Sequence, residues 1–492
     1  MNEQVSDPAD RDVPASASAV LGARLDNLPW HRVHTTVLLA LGAGWMFDSL
    51  EVSLFGSAVG PMAAHFHASV FAQDAILAVW LTGILLGALL GGPLADRFGR
   101  RRLFVLTLLW YAVFTILTAF SPTLSFVYAS RFLAALGVGA EYAIINAAIA
   151  ELMPARVRGR VGAAVMNFWP AGAVLAGLLA YFLLNTLALP DAVSWRYLFA
   201  GGGLAALLVL FFRRRIPESP RWLAAQGRMG EAEKIVADLE RRCGIAPTPA
   251  PAHRAPSSTV PAQRPVAVFS ELIRRYPGRL ALGATLDLSE AFGYYGIFAL
   301  LSVVVLPAIH ISNADVPFFY IVGNLGALVG GLAMATLLDR LGRYRTVGAA
   351  YLLAAVGVGL LAWATSTGSA AWVTVAFIAA SAFATAAWTS AYPTFTELFP
   401  THLRAAGVGT SVAIGRIGAI VGTLALPSVA TWLGVAASYL LVVACWLLGA
   451  AAIGLFRRRG GAEAAGRSLE AIATPADPNP YLYPPDWHQC QL

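Results

Sequence analysis

Apolar residues run along this chain in twelve blocks, each near the roughly 20 residues needed to cross a hydrocarbon core about 30 Å thick. The blocks fall at about 34–58, 72–95, 102–120, 124–150, 158–185, 195–213, 280–306, 315–338, 346–366, 371–394, 404–427 and 434–456. A lone segment in lipid must satisfy its own backbone hydrogen bonds, and these runs are too long for barrel strands, so each is predicted to be a helix. A polar stretch at 214–279 divides the twelve into two sets of six, 34–213 and 280–456, flanked by tails at 1–33 and 457–492.

Short polar turns between the blocks repeat. Gly91-Gly92-Pro93-Leu94-Ala95-Asp96-Arg97-Phe98-Gly99-Arg100-Arg101-Arg102 joins the second and third spans, and Leu338-Asp339-Arg340-Leu341-Gly342-Arg343 returns 243 residues later between the eighth and ninth. Glu151-Leu152-Met153-Pro154 followed by Arg158 matches Glu397-Leu398-Phe399-Pro400 followed by Arg404, an offset of 246 residues. Two motifs recurring in one order at nearly one period indicate a duplicated bundle with both halves reading in the same direction. The predicted fold is therefore an all-α membrane protein of twelve transmembrane helices in two pseudo-symmetric six-helix bundles.

The turn from Gly92 to Arg101, as Gly-x-x-x-Asp-Arg-x-Gly-Arg-Arg, resembles the signature of the major facilitator superfamily of secondary transporters. The resemblance extends over roughly residues 30–460. Arg131-x-x-x-x-x-Gly137-x-Gly139-x-Glu141 on the fourth span and Pro217-Glu218-Ser219-Pro220-Arg221-Trp222 after the sixth look like the sugar-porter and organic-acid/proton-symporter branches, including carriers of niacin and aromatic acids. The resemblance implies a gate of charges at the basic turns: Gly92, Asp96, Arg97, Gly99, Arg100, Glu151 and Arg158 in the first half, Asp339, Arg340, Glu397 and Arg404 in the second, and Glu218 and Arg221 in the connection. It departs from sugar porters on the seventh span, where Asp287-Leu-Ser-Glu290-Ala-Phe-Gly-Tyr-Tyr replaces their Gln-Gln-x-Ser-Gly-x-Asn, which disfavours a hexose.

Composition agrees with a membrane protein: 58% of the 492 residues are hydrophobic and 12% charged, with a mean hydropathy of +0.66. The formal charge of +7 does not point to nucleic acid, because the arginines sit in alternate loops. By the positive-inside rule the basic loops and both termini are expected to be cytoplasmic, in a multi-pass protein of the plasma (inner) membrane. Arg196 is the one basic residue expected on the outer side, as an interfacial anchor beside Trp195. Cys243, Cys445 and Cys490 make no disulfide framework or zinc spacing. No cleavable leader is expected. Residues 246–265 and the Pro-rich tail after Arg459 read as disordered. Gly230–Arg242 has apolar residues at helical spacing and is expected to lie as an amphipathic helix against the cytoplasmic face.

An ionisable group inside a span is costly unless it faces a wet cavity or a partner, so each is a candidate site. Asp48 and Glu51 sit three apart on the first span, on one helical face. The resemblance to proton symporters makes Asp48 with Arg131 the coupling pair; Glu51 and Glu141 are further proton candidates. On the seventh span Glu290 is the better site residue, while Asp287, about two turns from Arg279, is expected nearer the cytoplasmic surface. Arg416 lies twelve residues beyond Arg404, roughly 18 Å into the eleventh span and near the midplane. An arginine there offers a carboxylate a planar fork of donors, or else pairs with an acid such as Glu290. Tyr294, Tyr295, Asn167, Phe168, Trp169, Asn324, Trp388 and Tyr392 are candidate cavity-lining groups.

These readings point to a proton-coupled symporter that imports a small organic metabolite, a carboxylate or aromatic acid, as a monomer in the bilayer without a cofactor. A proton-driven exporter, a sugar carrier and a sensor on the same fold remain as alternatives. An enzyme is disfavoured, because the sequence carries no metal cluster, Ser-His arrangement or phosphate loop.

Overall fold

The computed structural model describes residues 17–187, 189–213, 216–247, 265–311 and 316–473. Residues 248–264 and everything from 474, Cys490 included, lie outside the described residues.

Twelve helical spans are present among the described residues. In the first half they are α2 (Arg32–Phe66), α3 (Val70–Phe98), α4 (Arg100–Ala119), α5 (Leu124–Leu152), a fifth built from α6 (Arg158–Met166), α7 (Phe168–Tyr181) and a π turn (Phe182–Thr186), and α8 (Asp191–Arg213). In the second half they are α12 (Pro277–Leu300) continuing through a π turn (Leu301–Val305) into α13 (Leu306–Ala308), then α14 (Val316–Leu341), α15 (Arg343–Ser366), α16 (Ala370–Leu398), α17 (Arg404–Leu433) and α18 (Val435–Arg458). Two spans outrun the expected bounds by the most: α2 continues to Phe66 past Pro61, and α17 to Leu433 past Pro427. A proline inside a helix removes one hydrogen bond, but packing against neighbouring spans keeps the helix going.

Local chemistry sets the ends. Ser69, Thr123 and Ser369 cap α3, α5 and α16 by accepting the N–H of Ala72, Phe126 and Trp372. The glycine of each basic turn, Gly99 and Gly342, has φ +97° and +87°, a conformation that side-chain-bearing residues rarely adopt. That accounts for its place in both copies of the motif. Arg196 donates to the carbonyls of Ala119 and Ser121 at 2.8 and 3.1 Å, so it caps the end of α4 as well as lying over Trp195.

The halves meet along α3 with α17 and along α6 and α7 with α14. Small residues permit this approach: a Cβ on Gly92 would stand 2.4 Å from the Ala405 carbonyl oxygen, and one on Gly409 2.2 Å from that of Ala88.

Both tails fold further than the sequence indicates. α1 (Ala17–Asp26) packs Leu21 and Leu25 against Trp222 and Leu223 of α9 (Pro220–Ala225) and Val236 and Leu239 of α10 (Met229–Arg242). α10 occupies the stretch read as amphipathic, and α11 (Pro265–Arg275) follows before α12. Past Arg459 the chain returns over the basic end and closes with α19 (Leu469–Ala473), burying Ala464, Leu469 and Ile472. The disorder expected from Arg459 therefore does not hold for 460–473, because three apolar side chains and two glutamates find partners there.

Candidate substrate cavity and gate

Spans from both halves converge on a central cavity lined by Tyr142 of α5, Trp169 of α7, Glu290, Tyr294 and Tyr295 of α12, Trp388 of α16 and Arg416 of α17. Six of these seven were singled out in the sequence. Tyr142 was not, nor was Trp45 of α2, whose ring centroid stands 4.8 Å from Tyr142, 6.0 Å from Trp169 and 6.1 Å from Trp388. Trp169 and Trp388 meet edge to face at 5.6 Å. Such rings make a wall that suits another aromatic ring, since offset and edge-to-face pairs are favourable.

The one cation in this wall is held by phenols. Arg416, 2% exposed, donates to the Tyr295 hydroxyl at 3.0 Å and the Tyr392 hydroxyl at 3.3 Å, and its guanidinium lies over the Tyr142 ring at 4.8 Å. Its Nε is buried and has no hydrogen-bond partner among the described residues. The phenols orient the guanidinium, and the buried carboxylates of Asp287 and Glu290 stand within electrostatic reach of it. Glu290 lines the same cavity, and the Arg416 charge acts on it with no direct hydrogen bond between the two among the described residues.

Asp287 corrects an expectation. It is fully buried, and a Cβ on Gly415 would stand 1.7 Å from its Oδ2, so it packs beside Arg416 instead of at the surface. Its surroundings are set by the close approach of α17, where Gly415 leaves room for the carboxylate, and not by the distance along α12 from Arg279.

The proton candidates lie away from the cavity wall. Arg131 is fully buried and pairs with Glu51, which also accepts from Thr115 at 3.1 Å, so the carboxylate on Arg131 is Glu51 and not the expected Asp48. Phe55 and Phe199 flank the guanidinium at 4.8 and 5.0 Å. Asp48 is buried one turn earlier on α2. Glu141 accepts from Thr107 of α4 at 3.1 Å. Asn167 is not in the cavity either; it sits at the break between α6 and α7, donates to the Leu328 carbonyl at 3.1 Å and packs on Gly331 of the other half. Asn324 is buried on α14, outside the cavity lining, and Phe168 packs on Gly42.

The basic end is sealed by two reciprocal caps. Asp96 at the end of α3 accepts the backbone N–H of Ala405 and Ala406, in the first turn of α17, at 3.3 and 2.8 Å. Asp339 at the end of α14 accepts those of Gly159 and Arg160, in the first turn of α6, at 3.1 and 2.6 Å. Around Asp96, Arg100 bridges to Asp96 and Glu151 at 2.8 Å each, and Arg404 reaches Glu151 at 3.0 Å across the halves. Around Asp339, Arg343 bridges to Asp339 at 2.7 Å and Glu397 at 2.9 Å. Glu218 receives the N–H of Arg100 at 3.0 Å, filling the space a Cβ on Gly99 would need. Arg97 and Arg340 are exposed and lie outside this network.

The two halves differ in one pairing: Arg404 bonds directly to a gate glutamate, while its counterpart Arg158 feels Glu397 and bonds directly to Asp26 of α1 at 2.7 Å. Asp26 also pairs with Arg221 at 2.8 Å, and Arg221 pairs again with Glu470 of α19. Burial opposes the charge of Arg221, but Glu470 and Asp26 outweigh it and hold its pKa above the ordinary value.

The chain matches the family model of the Major Facilitator Superfamily over residues 41–423 and 288–485. It belongs to that superfamily. It is 31% identical over 464 residues to a niacin transporter of Acinetobacter baylyi, covering 92% of this chain and 99% of the relative. An inner membrane metabolite transport protein of Escherichia coli is 28% identical over 426 residues, with 87% and 92% covered. Among solved structures, a proton:xylose symporter bound to a bromodeoxyglucose superposes with a TM-score of 0.75 at 20% identity, covering 90% of this chain and 98% of that one. At that identity the likeness speaks for the fold alone. The chain is thus a multi-pass integral membrane protein with the superfamily's twelve-helix architecture.

Proposed function

We propose that this chain is a proton-coupled symporter that imports a small organic acid, an aromatic monocarboxylate in the first instance, by alternating access. In this reading it sits as a monomer in the inner membrane with both termini and the sealed basic end in the cytoplasm.

One observation carries the reading: Arg416 is buried in an aromatic box, oriented by two neutral phenols, with Nε unpartnered. A carboxylate matches a guanidinium fork through two parallel charge-assisted hydrogen bonds. The rings of Trp169, Trp388, Tyr142 and Tyr294 suit an aromatic or flat body next to it. Niacin, the cargo named for the Acinetobacter relative, has this chemistry, a ring bearing one carboxylate.

Coupling is assigned to the carboxylates of α2, Glu51 and Asp48. A carboxylate shielded from water is protonated more readily, and an adjacent arginine reverses that, so moving Glu51 relative to Arg131 would load and release a proton. Asp48, one turn away on the same face, is the second candidate. The cavity holds only about 10 Å³ of water-accessible space, far below the ~300–1,000 Å³ of typical ligand pockets, so this conformer is contracted and entry needs the halves to part.

Proteoliposomes given an inward proton gradient test the proposal. Labelled nicotinate or benzoate should accumulate above its external concentration and leak out on adding a protonophore, while the corresponding amides do not accumulate. Uptake that only equilibrates, or that is indifferent to the gradient, contradicts proton coupling.

A further inference from the structure

Two carboxylates share the central cavity with one guanidinium. Asp287 and Glu290 stand three residues apart on α12, hence on one face, and are 0% and 4% exposed. Glu290 lines the cavity, and its Oε2 is buried with no hydrogen-bond partner among the described residues. Asp287 lies against Gly415 of α17, within reach of the Arg416 charge and on the side of the Tyr392 hydroxyl. The other titratable groups that face the pair are phenols: Tyr295 of α12, Tyr142 of α5, Tyr392 of α16, and Tyr351 of α15, whose hydroxyl donates to the Leu286 carbonyl at 2.9 Å. From α2, Asp48 acts on Tyr142.

Charge counting in this space is strict. An ionised carboxylate without a counter-charge is too costly to hold where water does not reach, and the group protonates instead. The cavity has about 10 Å³ of water-accessible space, room for one water at most. Arg416 is the one cation among its described lining residues and balances one negative charge. Two ionised acids one helical turn apart would leave a second charge over, and like charges that close oppose each other's ionisation. One proton on the pair restores neutrality, and between coupled neighbours it belongs to both acids and not to either alone. A substrate carboxylate on Arg416 adds a further negative charge, and the count then closes only if another proton enters with it.

We propose that Asp287 and Glu290 form a second proton site, which holds one proton between them in this conformer and takes up another when a carboxylate docks on Arg416. The site adds to the α2 carboxylates and does not replace them. Its first part stands on the two acids and Arg416 alone; its second part rests on the reading of Arg416 as the carboxylate receptor.

Infrared spectra of the full-length chain in bilayers, taken near neutral pH without substrate, read the shared proton through the carbonyl stretch of a protonated carboxyl. That band should be missing from Glu290→Gln and also from Asp287→Asn, because either amide leaves a single acid that Arg416 balances. A band that survives in Asp287→Asn, or two variants that match wild type in this region, overturns the shared proton. Nicotinate is then added to the protein in weak buffer with a pH indicator. Wild type should take up about one proton per nicotinate bound and none per nicotinamide, so nicotinate affinity weakens by about tenfold per pH unit above neutrality. Asp287→Asn/Glu290→Gln should bind nicotinate without uptake and with little dependence on pH. Binding without uptake in wild type, uptake kept in the double variant, or uptake lost in Glu51→Gln instead overturns the second part. Failure of wild type to bind nicotinate or benzoate at all strikes the reading of Arg416 and the second part with it, and the infrared bands still decide the first.

Discussion

The carboxylate of Asp96 closes the first turn of α17 at Ala406, 2.8 Å away in the opposite half of the protein. Asp339 does the same to α6 at Arg160, at 2.6 Å. A negative charge on the free N–H groups of a helix start is favourable by about 0.3–1 kcal/mol, and up to ~2 when partly buried. Each cap therefore stabilises the sealed basic end by an amount that domain rocking can overcome. Replacing Asp96 by Asn keeps an acceptor but removes the charge, and the account expects slower turnover with substrate affinity within a few-fold. Transport rate and binding measured on Asp96→Asn and Asp339→Asn check this; an unchanged rate in both would remove the gate from the mechanism.

A wedge at the same seam should act in the same direction. The Cβ of Gly92→Ala would meet the Ala405 backbone at 2.4 Å, so α3 and α17 must part, whereas Gly454 on α18 has open space around it. Hydrogen exchange over residues 404–410 should be faster in Gly92→Ala than in wild type, with Gly454→Ala as the unaffected control.

Asp26 anchors α1 to the gate by accepting from Arg158, Arg221 and the Ala155 N–H. Both arginines are about 2% exposed or less at the side chain. Removing one partner of a buried pair costs roughly 3–5 kcal/mol, and the low end applies here because Glu470 still holds Arg221. Asp26→Asn should lower the thermal midpoint by several degrees, and deleting residues 1–28 should lower it further.

The twelve spans and the duplication were legible because each has a direct sequence mark: long apolar runs, and a Glu-Leu-x-Pro-x-x-x-Arg motif that returns in register. The choice between Asp48 and Glu51 was not. Residues three apart on a helix share a face, and only packing decides that Glu51 meets Arg131. The place of Asp287 was not legible either, because it is set by the close approach of α12 to α17 at Gly415, which a count of turns from Arg279 does not show. Trp45 and Tyr142 carried no signal at all, since an aromatic side chain in an apolar run reads the same whether it packs or lines a cavity. The fold of 460–473 was hidden by its polar, glycine-containing composition; Glu463 there accepts the N–H of Arg343 at 2.9 Å, a long-range partner no local pattern reveals.

For coupling, the pair at Arg131 makes a discriminating prediction. Glu51→Gln should abolish proton-driven accumulation yet retain exchange of labelled for unlabelled substrate, which needs no net proton movement. If Glu51→Gln still accumulates substrate and Asp48→Asn does not, the proton rides on Asp48, and Glu51 serves to hold Arg131 in place.

The central claim is that Arg416 receives the substrate carboxylate, and binding of an acid and its uncharged amide to wild type and Arg416→Lys tests it most directly. Lysine keeps the charge but loses the planar fork that Tyr295 and Tyr392 orient. A lost charge-assisted bidentate contact is worth on the order of 1.5–3 kcal/mol, or roughly 10- to 150-fold in affinity. The account predicts that nicotinate binding falls by at least tenfold in Arg416→Lys while nicotinamide binding stays within about twofold; an equal loss for both ligands, or none for either, would contradict it.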